Sequence, residues 1–242
     1  MIDLHSNRTP NSYKPAIMLE EVGLPYRVVH YDIMKGEHFT PAYRAINPNN
    51  KLPAITDHEP DEGAGPFSVF ETGAILFYLA EKSGQLLSTS FRRRSETLQW
   101  LVWQVAGLGP MHGQAHHFQR YAPEGEAYGI QRYTNEARRL LSVMEYRLRQ
   151  VEFLATDYSI ADIACWPFVN MADKIDISLS EFPQIERWHS AIKVRPAVVR
   201  TVTNPETAMP GIYLQKRMEL TAEQWSNAFG ERMLAASAVD AV

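Results

Sequence analysis

The sequence predicts an α/β domain with a mixed sheet over residues 1–84, followed by an all-helical domain with a tail over residues 91–242. Three observations predict it. Short apolar runs and short helical patterns alternate up to Ser83. From Phe91 onward the strong patterns all have helical period. Between the two lies Gly84 to Ser90, a short connection of small residues.

Taken in order, Ile2-Asp3-Leu4-His5-Ser6 reads as a first strand, and Asn7 to Ser12 as a loop of turn formers. A helix is expected from about Tyr13 to Glu21, stopped by Gly23 in the C′ position. Tyr26 to Ile33 alternates like a strand, and Pro41 to Ile46 reads as a short helix ending before Pro48. Pro53 to Ile55 and Phe67 to Phe70 read as a hairpin, its widened loop running from Asp57 to Pro66. Glu71 and Thr72 then open a helix with Ile75, Leu76 and Leu79 on its apolar face. The resulting order, βαβαββα, is thioredoxin-like.

In the second unit, Phe91 to about Gly107 is helical, and Pro110 is expected to kink rather than end the helix. Tyr121 to Gly125 is a turn. A second long helix, about Ala127 to Val151, completes an antiparallel hairpin. Ser159-Ile160-Ala161-Asp162 fits a capping box before an apolar helix. A further helix runs from about Phe182 to Val194. Thr221 to Ala236 reads as one final amphipathic helix, with Trp225, Phe229 and Met233 spaced by four.

The bulk numbers exclude several classes. In 242 residues, 45% are apolar and 21% charged, which is globular rather than disordered composition. A net charge of −4 gives no global pull toward nucleic acid or anionic membrane. No apolar run reaches membrane-spanning length, and the start from Met1 to His5 has no signal-peptide pattern. The single cysteine, Cys165, excludes an internal disulfide framework and fits a reducing, cytoplasmic setting.

The chemistry concentrates at two helix starts. The Glu71 helix start would favour a bound carboxylate through its N–H groups and a bound ammonium through Glu71. Together these suit an α-amino-acid head group. A thioredoxin would carry Cys-x-x-Cys after its first strand, but here that loop holds Thr9, Pro10 and Asn11. Any thiol acting there must therefore arrive on a ligand. The Thr9 hydroxyl, the Asn11 amide and the helix-start N–H groups suit its thiolate. Both residues are also good helix caps; beside the Lys51–Thr72 unit, ligand activation is the preferred reading. His112, His116 and His117 lack an acidic or cysteine third ligand at helical offset, so polar packing is preferred to metal binding. Arg92-Arg93-Arg94 reads as a solvated helix start, and Cys165 as a packing residue.

The pattern Asn47-Pro48-Asn49-Asn50-Lys51-Leu52-Pro53-Ala54-Ile55, followed by Phe70-Glu71-Thr72-Gly73-Ala74-Ile75, resembles the glutathione-binding unit of glutathione transferases. The resemblance covers residues 1 to about 200. Within the superfamily it is greatest to the bacterial Nu class, glutathione-dependent disulfide-bond oxidoreductases related to the yeast prion-type nitrogen regulator. Thr9-Pro10-Asn11, Lys35 to Phe39, Leu98 to Leu101, Trp103-Gln104, Gly107 to Met111, His116 to Phe118 and Tyr158 to Pro167 carry that subclass.

The resemblance implies roles. Thr9 and Asn11 would face the glutathione sulfur. Leu52 would pair its backbone with the cysteinyl residue across a cis Leu52–Pro53 bond. Lys51 would meet the glycyl carboxylate, with His38 in place of the glutamine of close relatives. Glu71 would hold the γ-glutamyl ammonium, Thr72 its carboxylate, and Arg132 would reach the sulfur side. Since an imidazole binds carboxylate better when protonated, His38 is expected to make glutathione affinity depend on pH. The implied activity is glutathione-dependent disulfide reduction in a homodimer, without a metal. A transferase acting on electrophiles and a non-catalytic binding or regulatory module are the alternatives.

Overall fold

The computed structural model describes residues 1–123, 126–215 and 217–238. Glu124 and Gly125 of the expected turn lie outside them. Four strands, β1 (Ile2–Ser6), β2 (Tyr26–His30), β3 (Ala54–Asp57) and β4 (Phe67–Phe70), form one sheet in the order β2-β1-β3-β4. β1 runs parallel to β2, while β3 is antiparallel to both β1 and β4. Between β1 and β2 lies α1 (Pro10–Val22), and α2 (Pro41–Ile46) precedes β3. α3 (Thr72–Ser83) follows β4, so the expected thioredoxin-like βαβαββα order is present.

α1 begins three residues earlier than its apolar pattern, because Pro10 at its first position needs no N–H partner there. It ends where expected, with Gly23 at φ 69°. β2 stops at His30 instead of running on to Ile33.

The helical unit comprises α4 (Phe91–Trp103), α5 (Gly109–Arg120), α6 (Ala127–Leu148), α7 (Ile160–Val169), α8 (Pro183–Lys193), α9 (Pro196–Thr203), α10 (Ala222–Phe229) and α11 (Glu231–Ser237). Two features correct the sequence reading, the π turn and the break in the final helix, and a third, α9, adds to it. Between α4 and α5 the chain makes a π-helical turn, Gln104–Leu108, and Pro110 then falls in the first turn of α5. The break is therefore a widened turn rather than a proline kink. α9 forms directly after Arg195, with Pro196 tolerated at its start. The final helix is two helices, broken at Gly230.

The capping box at Ser159 is complete: its hydroxyl accepts from Ala161 N at 3.3 Å, and Asp162 accepts from Ser159 N at 3.0 Å. Asp162 also accepts from Leu154 N and from the Trp188 indole, which ties the α6–α7 connection and α8 to α7. α7 is buried along its whole length. It forms the floor on which α1 and α3 of the first unit rest. Arg195 and Tyr158 both reach Glu21, and Arg200 reaches Glu20, so polar contacts pin α1 to the helical unit as well.

Candidate functional site

The first turn of α1 is left open. Thr9 is its N-cap in extended conformation, but its side chain makes no capping bond. Instead the Thr9 and Ser12 hydroxyls both donate to Asn7 Oδ1, each at 3.2 Å. The helix-start N–H groups, which have no intrahelical partner, therefore face outward beside exposed Asn11.

The facing wall is the corner between α2 and β3. Its Leu52–Pro53 bond is cis, as the resemblance implies. The Lys51 carbonyl accepts from Tyr43 Oη at 2.7 Å and Asn47 Nδ2 at 2.6 Å, which fixes the corner from beneath. At the end of β4, Glu71 adopts φ 68°. A non-glycine residue in that region costs about 1–3 kcal/mol and persists where its surroundings hold it. Here the turn aims Glu71 and the start of α3 at the same space as Lys51 and Leu52.

Two adjoining cavities lie between these walls, of about 320 and about 380 Å³. Thr9, Asn11, His38, Lys51 and Leu52 line the first. Asn11, Lys51, Leu52, Pro53, Glu71 and Thr72 line the second. Arg132 lines neither; it lies on α6, half exposed, with Nη1 4.0 Å from Glu136.

His38 is only 5% exposed, and its Nδ1 has no hydrogen-bond partner among the described residues. Burial first, then the charges of Lys51 and Arg232, hold its pKa down to about 4. The ring of the free protein is therefore neutral near pH 7 and its unpartnered Nδ1 is an uncharged hydrogen-bonding group, so the pH dependence expected of His38 requires that a bound carboxylate raise its pKa.

His112, His116 and His117 line the first cavity and pack against aromatic rings, His112 on Phe168 and His117 on Phe229. Burial lowers His112 to about 3 and His116 to about 4, leaving neutral rings among aromatic ones. No cluster of three or more potential metal-binding side chains occurs among the described residues.

The sequence reading missed two contributions. The first is the tail. Phe229 lies against His117 with ring centroids 4.6 Å apart and against Tyr121 at 5.1 Å, roofing the first cavity. Asn227 donates to the Met34 carbonyl, and Lys51 Nζ donates to Met233 Sδ at 2.9 Å. The second is Lys14, buried at 2% exposure, which donates to Gln104 Oε1 at 2.9 Å and lies 3.3 Å from Thr72 Oγ1. Its signal was a lysine three and four residues before Ile17 and Met18, in line with a buried apolar face.

Cys165 is fully buried, and burial pushes its thiol well above the usual range. It is a neutral packing group, remote from thiolate chemistry.

A thioredoxin-type sheet without a dithiol, an acidic residue at a positive-φ helix start beside a cis-proline corner, and a helical unit docked through a capping-box helix together define the glutathione transferase class. The N-terminal domain of glutathione S-transferase matches residues 2–81, and its C-terminal domain matches residues 110–196. Disulfide-bond oxidoreductase YfcG of Escherichia coli is 51% identical over 198 residues, covering 81% of this chain and 92% of its own. A glutathione transferase of Burkholderia graminis, solved with two glutathione molecules bound per subunit, superposes with a TM-score of 0.79 at 42% identity. That match covers 84% of this chain and 88% of the other. One from Pseudomonas putida, solved with one glutathione disulfide per subunit, gives 0.78 at 39% identity over 84% and 91%. The chain belongs to the glutathione S-transferase family, in its bacterial Nu class.

Proposed function

We propose that this protein reduces disulfides with glutathione as the thiol, using no cysteine of its own. The observation that carries the reading is the open first turn of α1, where Thr9 and Asn11 stand over a cleft whose far end holds Glu71 and Thr72. The relatives solved with glutathione or its disulfide bound support it. In this reading Glu71 takes the γ-glutamyl ammonium and Thr72 the carboxylate. Leu52 pairs with the cysteinyl backbone, held there by Pro53. Lys51 and neutral His38 take the glycyl carboxylate. Arg132 contributes only by leaving Glu136 and reaching in from α6.

The Asn11 amide and the α1 N–H groups stabilise the bound thiolate, joined by the Thr9 hydroxyl once its proton turns from Asn7 Oδ1 to the sulfur, and together they raise the thiolate fraction near neutral pH. The thiolate attacks one sulfur of the substrate disulfide, forming a glutathione mixed disulfide and expelling the other sulfur as a thiolate, which takes up a proton. A second glutathione thiolate then attacks the glutathione sulfur, releasing the second substrate thiol and glutathione disulfide. Two glutathiones are oxidised for each disulfide reduced.

We also propose that residues 1–84 and 91–242 act as separate domains, that the chain pairs as a homodimer through α4 and α6, and that it works in the cytoplasm, where thiols are kept reduced. No helix among the described residues is long and apolar enough to cross a membrane.

A glutathione-coupled disulfide reductase assay tests the mechanism. Thr9→Ala and Asn11→Ala are each expected to lower turnover roughly tenfold or more, the worth of one hydrogen bond to a charged group, with glutathione affinity nearly kept. Undiminished turnover in the double variant would remove the thiolate site from α1. Turnover with no small disulfide, by a protein that still binds glutathione, would favour the binding module.

A further inference from the structure

We propose that Lys14 is the positioning residue of the γ-glutamyl carboxylate site, fixing from behind which way the Thr72 hydroxyl points. The proposal rests on the reading of Glu71 and Thr72 as the head-group clamp.

Lys14 lies on the buried face of α1 and reaches across to both domains. Its Nζ donates to Gln104 Oε1 at 2.9 Å, lies 3.3 Å from Thr72 Oγ1, and is 4.8 Å from the centre of the Phe168 ring. Gln104 is fully buried and is delivered by the π-helical turn, a widening that places its side chain under the cleft floor. π turns of this kind recur at functional sites. A buried cation is costly, and an apolar residue of similar volume usually serves packing as well or better. The lysine's hydrogen-bonding partners are instead a buried amide and the head-group threonine.

The consequence follows from hydrogen-bond valence. An ammonium has three donors and no acceptor, whereas a hydroxyl has one proton and two acceptor sites. Facing the ammonium, Thr72 Oγ1 must accept, and its own proton is turned toward the cleft. A bound carboxylate then receives a hydroxyl donor with a cation behind it. A neutral amine has a lone pair; it can take the hydroxyl proton and turn it away from the ligand.

The switch lies in an accessible range, since burial brings the Lys14 amine down to about 7. The titratable groups bearing on it are Cys165 of α7, whose buried thiol is neutral, and Glu71 at the start of α3. Asp162 of α7 is held by Ser159 and Leu154, Asp3 of β1 by Arg27, and Arg200 of α9 by Glu20. The π turn contributes only Gln104. A bound carboxylate stabilises the ammonium and raises its pKa, so binding takes up a proton above pH 7. Affinity is therefore full below pH 7 and falls as the pH rises beyond it.

The test uses S-methylglutathione, which has no titrating thiol, and its analogue lacking the γ-glutamyl α-carboxylate, by calorimetry at pH 6.5 and 8.5. Wild type is expected to prefer the carboxylate ligand roughly tenfold or more at pH 6.5, the worth of a hydrogen bond to a charged group, and less at pH 8.5. Lys14→Met is expected to lose most of that preference and all of its pH dependence, while binding the analogue as wild type does. A variant that keeps both the preference and its pH slope overturns the role of Lys14 and leaves the clamp intact. Wild type without any preference overturns the head-group reading itself, and this proposal with it. Should Lys14→Met not fold, Thr72→Val decides: the pH slope of discrimination must vanish, and its survival overturns the proposal.

Discussion

His38 and Lys14 are two basic side chains whose pKa values are lowered by the same cause, removal from water, but with different results near neutral pH: His38 is neutral there, whereas Lys14 is poised between its two forms. For His38 the shift is downward to about 4, so its proton is taken up only well below the working range. Replacing it by the glutamine of close relatives exchanges one neutral hydrogen-bonding group for another. The pH profiles of S-methylglutathione binding for wild type and His38→Gln should therefore have the same shape from pH 5.5 to 8, differing at most by a constant factor. Calorimetric titration checks this. A wild-type affinity that climbs below pH 6.5 while the variant's stays level would mean that the ligand carboxylate itself protonates the ring. The identity of His38 was legible in the sequence, but its charge state was not, because charge depends on what covers the ring. Thr9 is a similar case. Its place at the helix start was legible; the diversion of its hydroxyl to Asn7, which leaves the helix start uncapped, was not.

At the scale of elements, the tail from Thr203 onward does most to shape the cleft. Sequence pattern located its amphipathic stretch but not its partner, and Gly230 divides the stretch in two. α10 and α11 dock on the segment before α2 and on the Asn50–Lys51 corner. Gly36 admits them: a Cβ there would sit 3.1 Å from the Arg232 guanidinium and 3.2 Å from Asn227 Oδ1. Asn50 donates to the Ala236 carbonyl, and the Lys51 ammonium meets the Met233 sulfur. In the proposed site Met233 occupies one of the three donors of Lys51, which leaves the others for a glycyl carboxylate and sets the helix pair beside it. Truncation after Leu220 should raise the association rate of glutathione several-fold in stopped-flow measurements, since a covering element that must move slows entry. An unchanged rate would show that the pair stands aside from the entry path. The π turn is the second element that pattern could not locate. Gln104-Val105-Ala106-Gly107-Leu108 continues a helical sequence, and the extra residue per turn shows only in the backbone.

At the scale of the whole molecule, the helical unit leaves several large apolar side chains exposed. Phe91 is 89% exposed, Tyr128 81%, Tyr146 68% and Val102 57%. Phe91 and Val102 border one apolar groove along α4 with Leu98 and Trp103. The proposed pairing through α4 and α6 would cover that groove. Size-exclusion chromatography with light scattering should give twice the 27.6 kDa chain mass. Val102→Glu should shift the protein toward the monomer by setting a charge in an apolar interface. A wild-type monomer at micromolar concentration would refute the pairing.

What the sequence determined by itself was local order set by neighbours along the chain. The βαβαββα order, the missing dithiol after β1, the corner at Leu52–Pro53, the acidic start of α3 and the Ser159–Asp162 box each rest on a few contiguous residues whose local preferences agree. What only the tertiary structure decided were meetings between distant residues. Lys14 reaches Thr72 across 58 positions and Gln104 across 90, and Lys51 reaches Met233 across 182. The same holds for the burial of His38. The physical reason is that local conformation follows from steric and hydrogen-bonding preferences written into each short segment, whereas burial, and the pKa values and hydroxyl orientations that follow from it, exists only once the segments have packed together.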